Sequence, residues 1–269
     1  MPPPRPPPPR RIGAVPAAAR DGRPATDTPA GDGRIASPGP AGVLLPVLLL
    51  VAGAIPLVVA RVAPLQDWPN HLARIHVLRA LLDGDPFWAQ FYDLNTFLLP
   101  NVALDLGVWG LAELGFGVRA AGTVFLLFTY ALFVSGFLAL ARACSAASAA
   151  KPALAVVLFY AFSLFWGFVN YTVGLAAALW VLAFYAAPGA RIGREPAAAA
   201  FGAAVVAVCH IIAAVVVVIL LACHDAAVAF EARRHRRPAP RCFAGAASAG
   251  LVVALLLALS PTGPASSGG

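Results

Sequence analysis

The sequence predicts an all-α fold: a polytopic transmembrane bundle of about seven helices, with amphipathic interfacial helices in its first extracytoplasmic loop. Three observations predict it. The chain has 269 residues, is 60% hydrophobic and only 12% charged, and its mean hydropathy is +0.81. Soluble domains carry roughly 25% charged residues. Apolar runs recur along the chain at lengths that approach the ~20 residues needed to cross a hydrocarbon core. Short arginine clusters separate them, as the positive-inside rule requires. These features exclude a water-soluble enzyme with one core, a disulfide-stapled secreted module and a fully disordered chain.

The net charge of +7 and pI near 9.8 do not signal a nucleic-acid partner. The basic residues sit at loop ends and not on one face of a soluble domain. All but Lys151 of the 19 basic residues are arginine, a compositional bias shared with the alanine, glycine and proline load. Cys144, Cys209, Cys223 and Cys242 follow no zinc spacing, and the middle two read as small apolar residues.

Residues 1–41 read as a disordered Pro/Arg-rich cytoplasmic tail: MPPPRPPPPRR and GDGRIASPGPAG have no apolar periodicity. The apolar runs of the membrane domain, residues 42–260, are expected at 42–60, 120–141, 152–169, 171–187, 197–209, 211–230 and 243–259. Residues 261–269 are expected to be flexible. The first run contains Pro46 and Pro56, which membrane helices tolerate.

Residues 61–118 differ from all of these. They hold Asp67, Asp83, Asp85, Asp93, Asp105 and Glu113 against Arg61, Arg74 and Arg79, and are rich in Trp, Phe and Tyr. That composition suits the water–lipid interface. Within them, 69–82 reads as an amphipathic helix with Leu72, Ile75, Leu78, Leu81 and Leu82 on one side. A second helix is expected at 102–114.

Charge sets the predicted topology. The tail holds six arginines, the 142–151 loop Arg142 and Lys151, the 188–196 loop Arg191 and Arg194, and the 231–241 loop five arginines. Placing all four inside makes 152–187 a hairpin with Asn170 near its outer tip, and 197–230 a hairpin with His210 near its outer tip. The acidic 61–118 segment then lies outside, on a plasma (inner) membrane protein with a cytoplasmic N-terminus. The arm 197–209 is short, ~20 Å as a helix. A single crossing over 197–222 is the alternative, and it would put the RRHRR cluster outside. In the hairpin topology RRHRR anchors at anionic headgroups on the inner face.

That topology gathers Asp67, His71, Asn170 and His210 at one face. His210 interrupts an apolar run, where an ionisable residue is a functional-site hypothesis; the alternative is a neutral ring bonded to a backbone carbonyl. Asp67 either caps the helix that follows it or shares a helical face with His71, four residues on, within reach of one substrate or metal. Asp83, Gly84 and Asp85 form a DxD, which in sugar-nucleotide enzymes holds a divalent cation. Here the pair precedes Pro86 and reads better as a helix stop. Asn170, Tyr171 and Thr172 match a glycosylation sequon inside an apolar run, which sets it aside. No P-loop, dinucleotide glycine pattern or zinc helix is present.

The stretches QDWPNHLARIHVL, FYDLNTFLLPNVALDL, VSGFLALARA, FSLFWGFVNYTVGLAAAL and AVCHIIA occur in that order. Over residues 42–260 the chain resembles uncharacterised bacterial multispanning proteins related to the C-type, polyprenyl-phosphate-dependent glycosyltransferases. The resemblance implies an acidic residue just after the first helix, the place of Asp67, acting as base on the acceptor or binding metal. It implies a lipid-linked sugar donor, with a divalent cation as a possible cofactor. On this reading Asp67, His71 and His210 are catalytic, and Arg74, Asn170 and Tyr171 bind substrate; protonated His210 or Arg74 would stabilise the departing phosphate. Membrane lipids and a polyprenyl-phosphate sugar are the expected partners, and nucleic acid is not. Family members are longer, which leaves open an N-terminal fragment lacking the acceptor-binding half. The competing class is a transporter or a non-catalytic membrane assembly subunit.

Overall fold

The computed structural model describes residues 40–60, 62–94, 100–144, 150–187, 195–235 and 243–259. The expected tail as far as residue 39, Cys242, Arg191, Arg194, Arg236, Arg237, Arg241 and residues 261–269 lie outside the described residues, and α1 takes up the last two residues of that tail. The described residues are all-helical in their regular structure. The helices are α1 (Pro40–Val59), α2 (Trp68–Leu82), α3 (Ala103–Glu113), α4 (Val118–Cys144), α5 (Ala150–Phe159), α6 (Phe162–Phe165), α7 (Val169–Ala186), α8 (Glu195–Cys209), α9 (Ile211–Arg234) and α10 (Ala244–Leu259), with a 3₁₀ turn at Trp88–Gln90. Three of them, α4, α7 and α9, are long and apolar enough to cross a membrane by length and composition. Shorter apolar helices cover Leu44–Val59, Ala150–Phe165, Pro196–Cys209 and Ala244–Leu259.

α1 continues through Pro46 and Pro56. Each proline removes one backbone donor from the helix, which membrane helices tolerate. Tyr160 Oη donates to the Gly53 carbonyl at 2.6 Å and Tyr130 Oη to that of Leu50 at 2.8 Å. Both bonds pin α1 to its neighbours.

Cross-helix contacts give each helix its direction. The segment carrying α2 and α3 sits at one end, the loop end. α4 starts there, with Gly122 against Trp68 and Leu72. At the far end Lys151 Nζ donates to the Ala141 carbonyl, and α5 returns to set Phe159 edge-on against Tyr130 and Phe133. α6 lies at the loop end, where Gln66 N donates to the Phe165 carbonyl. α7 then runs alongside α4 in the same direction, with Trp180 Nε1 donating to the Leu132 carbonyl.

α8 rises from the far end, where Ser248 Oγ of α10 donates to the Pro196 carbonyl, and reaches the loop end, where Val102 N donates to the Val208 carbonyl. His210 is extended (φ −163°, ψ 125°) and the chain reverses there into α9. α9 descends past Asp225, which meets Phe243 N at the start of α10. Small residues allow this close packing: Gly174 of α7 lies against Ala213 of α9 and Cys209 of α8, and Gly202 of α8 against Val181 of α7.

Two hydrophobic clusters result. One joins α1 to α5 with the upper part of α7; the other joins α8, α9 and α10 with the lower part. α7 belongs to both and is the axis of the molecule.

Two expectations need correction. The run 152–169 is not one helix, and Asn170 is not its break. The helix stops at Phe159, and the chain turns over residues 160–168, where Ala161 is extended and Gly167 takes φ +86°. Asn170 is the second residue of α7. On α2, Ile75 is buried but Leu82, the last residue of the helix, is exposed.

Candidate functional site

Asp67 occupies the cap position of α2, but its side chain makes no capping bond. Pro69 in the first turn removes a donor that a cap would serve. The carboxylate is instead turned along the helix. Oδ1 accepts from Asn70 Nδ2 at 2.7 Å, and Oδ2 lies 3.4 Å from His71 Nε2. The same Nε2 is 2.9 Å from the Gly167 carbonyl. A ring nitrogen facing a carbonyl oxygen must carry the proton, so His71 donates from Nε2. The Asp67 side chain is 42% exposed and the His71 side chain 11%. The histidine is therefore the fixed partner and the carboxylate the reachable one.

Gly167 makes this contact possible. A Cβ at position 167 would stand 2.7 Å from both the Asp67 nitrogen and its Cβ. The left-handed backbone at φ +86° is one that glycine adopts freely.

One turn further along α2, Arg74 reaches α3. Its guanidinium meets Asp105 Oδ1 at 2.8 Å and, through Nε, at 3.0 Å. Burial pushes the Asp105 carboxyl above its ordinary value; Arg74 pulls it back, and His71 adds a smaller pull. Arg79 lies 3.7 Å from Glu113, so two ion pairs ladder α2 onto α3.

Asn170 is buried and both ends of its amide are engaged. Oδ1 accepts from Leu104 N at 2.8 Å, satisfying a free donor in the first turn of α3. Nδ2 donates to the Asn101 carbonyl at 2.7 Å. Asn101, itself left-handed at φ 70°, accepts at Oδ1 from Ile211 N at 3.3 Å, the first residue of α9. Asn170 thus acts as a tie between three elements. Its sequence-level role as a substrate ligand would require giving up one of these bonds.

His210 caps α9: Nδ1 accepts from Ile212 N at 3.2 Å. That lone pair is available only in the uncharged ring, which leaves Nε2–H as a donor. The expectation of a protonated His210 is corrected accordingly, since protonation removes the cap. Tyr171 packs edge-on against the ring at 5.2 Å.

The expected residues thus fall into two pairs, Asp67 with His71 and Tyr171 with His210, while Arg74 pairs with Asp105 and Asn170 binds Leu104 N and the Asn101 carbonyl. Asn101 in turn reaches Ile211 N, next to His210. Asp105, Asn101 and Gly167 were not singled out from sequence. Their signals were present: an acid inside an apolar helix, an asparagine after Pro100, and a lone glycine in an aromatic run.

Asp83 ends α2, with its N–H on the Arg79 carbonyl, Gly84 takes φ +77°, and Asp85 Oδ1 accepts from Phe87 N. The DxD is built as a helix stop and a turn. Among the described residues, no three His, Cys, Asp or Glu side chains converge as metal ligands.

Two apolar cavities flank α7. One of about 360 Å³ lies between α4, α5, α7 and α9 and is lined in part by Phe133, Phe159, Ser163, Thr172, Leu175 and Val216. Of these, Ser163 belongs to the 160–168 turn that carries Gly167, and Thr172 to the first turn of α7. The other, about 380 Å³, lies between α4, α7 and α8 beside Leu132, Trp180, Phe184 and Phe201.

No family model, no curated protein and no solved structure matches this chain.

Proposed function

We propose that the chain is a multi-pass inner-membrane protein whose seven apolar helices cross the bilayer, with the N-terminus cytoplasmic. We further propose that its loop end acts in glycosyl transfer from a polyprenyl-phosphate donor at the extracytoplasmic face. One observation carries this reading. Asp67, His71, Arg74, Asp105, Asn170 and His210 lie at one end of an apolar bundle, and that bundle holds a cavity of about 360 Å³ whose lining includes Ser163 and Thr172.

In the proposed reaction Asp67 takes the proton of an acceptor hydroxyl as its oxygen bonds to the anomeric carbon. The bond from that carbon to the phosphate oxygen breaks, and polyprenyl phosphate leaves with the electron pair. Arg74, 52% exposed, offers its guanidinium to the departing charge by exchanging Asp105 for phosphate. The neutral Nε2–H of His210 is a further donor. The membrane delivers the donor laterally, so no nucleotide-binding fold is needed.

The test uses the full chain in vesicles with a polyprenyl-phosphate-linked labelled sugar, reading release of polyprenyl phosphate. Asp67→Asn should lower turnover by at least ~100-fold, the usual span for a lost general base; undiminished turnover removes Asp67 from the mechanism. Cysteine labelling near positions 170, 210 and 235 tests the topology: an RRHRR segment open to an impermeant reagent on intact cells overturns it.

One observation favours the competing transport reading. The two helix clusters share α7, and a cavity lies on each side of it, as expected of halves that rock about a common helix. Labelled solute crossing sealed vesicles without donor cleavage would favour it.

A further inference from the structure

At the far end, α9 outruns the helices around it. Asp225 marks where they stop. This carboxylate is 7% exposed and accepts from Tyr185 Oη of α7 at 2.9 and 3.2 Å, and from Phe243 N, just ahead of α10, at 3.1 Å. His224 Nδ1 lies 3.6 Å from Oδ1. A carboxylate within an apolar helix is stable only when its oxygens are matched. Here the match comes from three helices and fixes the level at which α7 ends and α10 begins.

Beyond Asp225, α9 continues over residues 226–234, about 14 Å of helix. This spur has a distinct chemistry. Val228 and Phe230 are exposed, Phe230 at 68%. Arg233 and Arg234 are exposed. Glu231, the one acid of the spur, is held by His235 at 2.7 Å. Phe230 and Arg234 are four residues apart and share a face. Measured from Ile211, Phe230 lies about 28 Å along the helix, close to the ~30 Å of a hydrocarbon core. Arg233 and Arg234 fall one turn beyond, at phosphate depth.

We propose that this spur is a binding surface for anionic phospholipid headgroups. Arg233 and Arg234 hold the phosphates, Phe230 sits among the acyl chains beneath them, and the Asp225 tie sets the direction in which the spur leaves the bundle. The alternation of an exposed aromatic with guanidinium groups at that spacing fits a lipid surface better than an acidic polypeptide, which would leave Phe230 in water. The inference rests on the reading of α9 as a membrane crossing and deepens that of RRHRR as a headgroup anchor, but it does not depend on glycosyl transfer, because it concerns the opposite end and needs no turnover.

The experiment places the full chain in nanodiscs of phosphatidylcholine, with or without phosphatidylglycerol, and follows the unfolding midpoint. Phosphatidylglycerol should raise it, and the gain should shrink as sodium chloride is added. The double change Arg233→Gln with Arg234→Gln should keep the phosphatidylcholine midpoint and lose at least half of the gain. The charge-keeping pair Arg233→Lys with Arg234→Lys should retain it, which separates lost charge from lost folding. Equal midpoints in both lipids, an undiminished gain in the glutamine pair, an equal gain from soluble inorganic phosphate, or a gain from polyglutamate in place of lipid would each overturn the proposal.

Discussion

Asp105 at the loop end and Asp225 at the far end are both carboxylates held away from water, and they are held differently. Asp105 faces an ionic partner, Arg74, whose side chain is half exposed and free to turn toward another anion. Asp225 faces a tyrosine hydroxyl and a backbone N–H, neither of which can leave without unmaking the packing of α7 or α10. Exchangeable partners suit a place that binds, and fixed partners suit a place that holds. The same contrast runs through the neighbours. At the loop end the ion pairs join the short helices α2 and α3, while at the far end Asp225 joins α7, α9 and the start of α10 directly.

The sharpest way to break the loop end is at its tightest contact. Gly167→Ala should destabilise the protein by about 4 kcal/mol, combining a left-handed backbone that an L side chain resists with an overlap against Asp67. Thermal unfolding in detergent reads the loss; a midpoint within a degree or two of the parent would show that the 160–168 turn does not bear on Asp67.

The two polar ties can be set against each other. Asp225→Ala removes the acceptor shared by Tyr185 Oη and Phe243 N and should cost about 3 kcal/mol. Asn170→Ala leaves Leu104 N and the Asn101 carbonyl unmatched near an end more open to water, and should cost about 2 kcal/mol. Hydrogen exchange should distinguish them. The first should speed exchange in the opening turn of α10, the second in that of α3. Exchange rising equally at both ends would mean that the bundle opens as one unit and that the ties are not local.

The smallest expected effect is one of pH. The Asp105 carboxyl titrates above its unfolded value because burial outweighs Arg74. A group shifted in that direction contributes stability below its unfolded pKa and loses it as pH rises through the folded one. Arg74→Gln removes the pull, so this loss should deepen and extend to higher pH, while Asp105→Asn should abolish it. Unfolding midpoints across the carboxylate range check the sign. A loss that moves to lower pH in Arg74→Gln would contradict it.

The polar residues of the loop end were only partly legible in the sequence. Asp67 and His71 could be paired because four residues along a helix is a local relation. His210 stood out because an imidazole interrupts an apolar run. Asp105, by contrast, looked like one acid among several, since its partner Arg74 lies 31 residues away on another helix. Asn170 was legible as a polar break near the hairpin tip, but it opens α7 and does not form the turn. The turn belongs to Gly167, whose role depends on what stands opposite it.

Composition and charge pattern alone determined that this chain forms apolar helices with a polar, aromatic segment after the first, because hydropathy and helical period are properties of consecutive residues. They also marked His210 as a reversal point. Only the tertiary structure decided that α7 is the shared axis, that Asn170 closes the start of α3, that His210 stays uncharged at Nδ1, and that α9 projects past Asp225. Each of these depends on which groups meet across helices distant in sequence, and no local pattern encodes that.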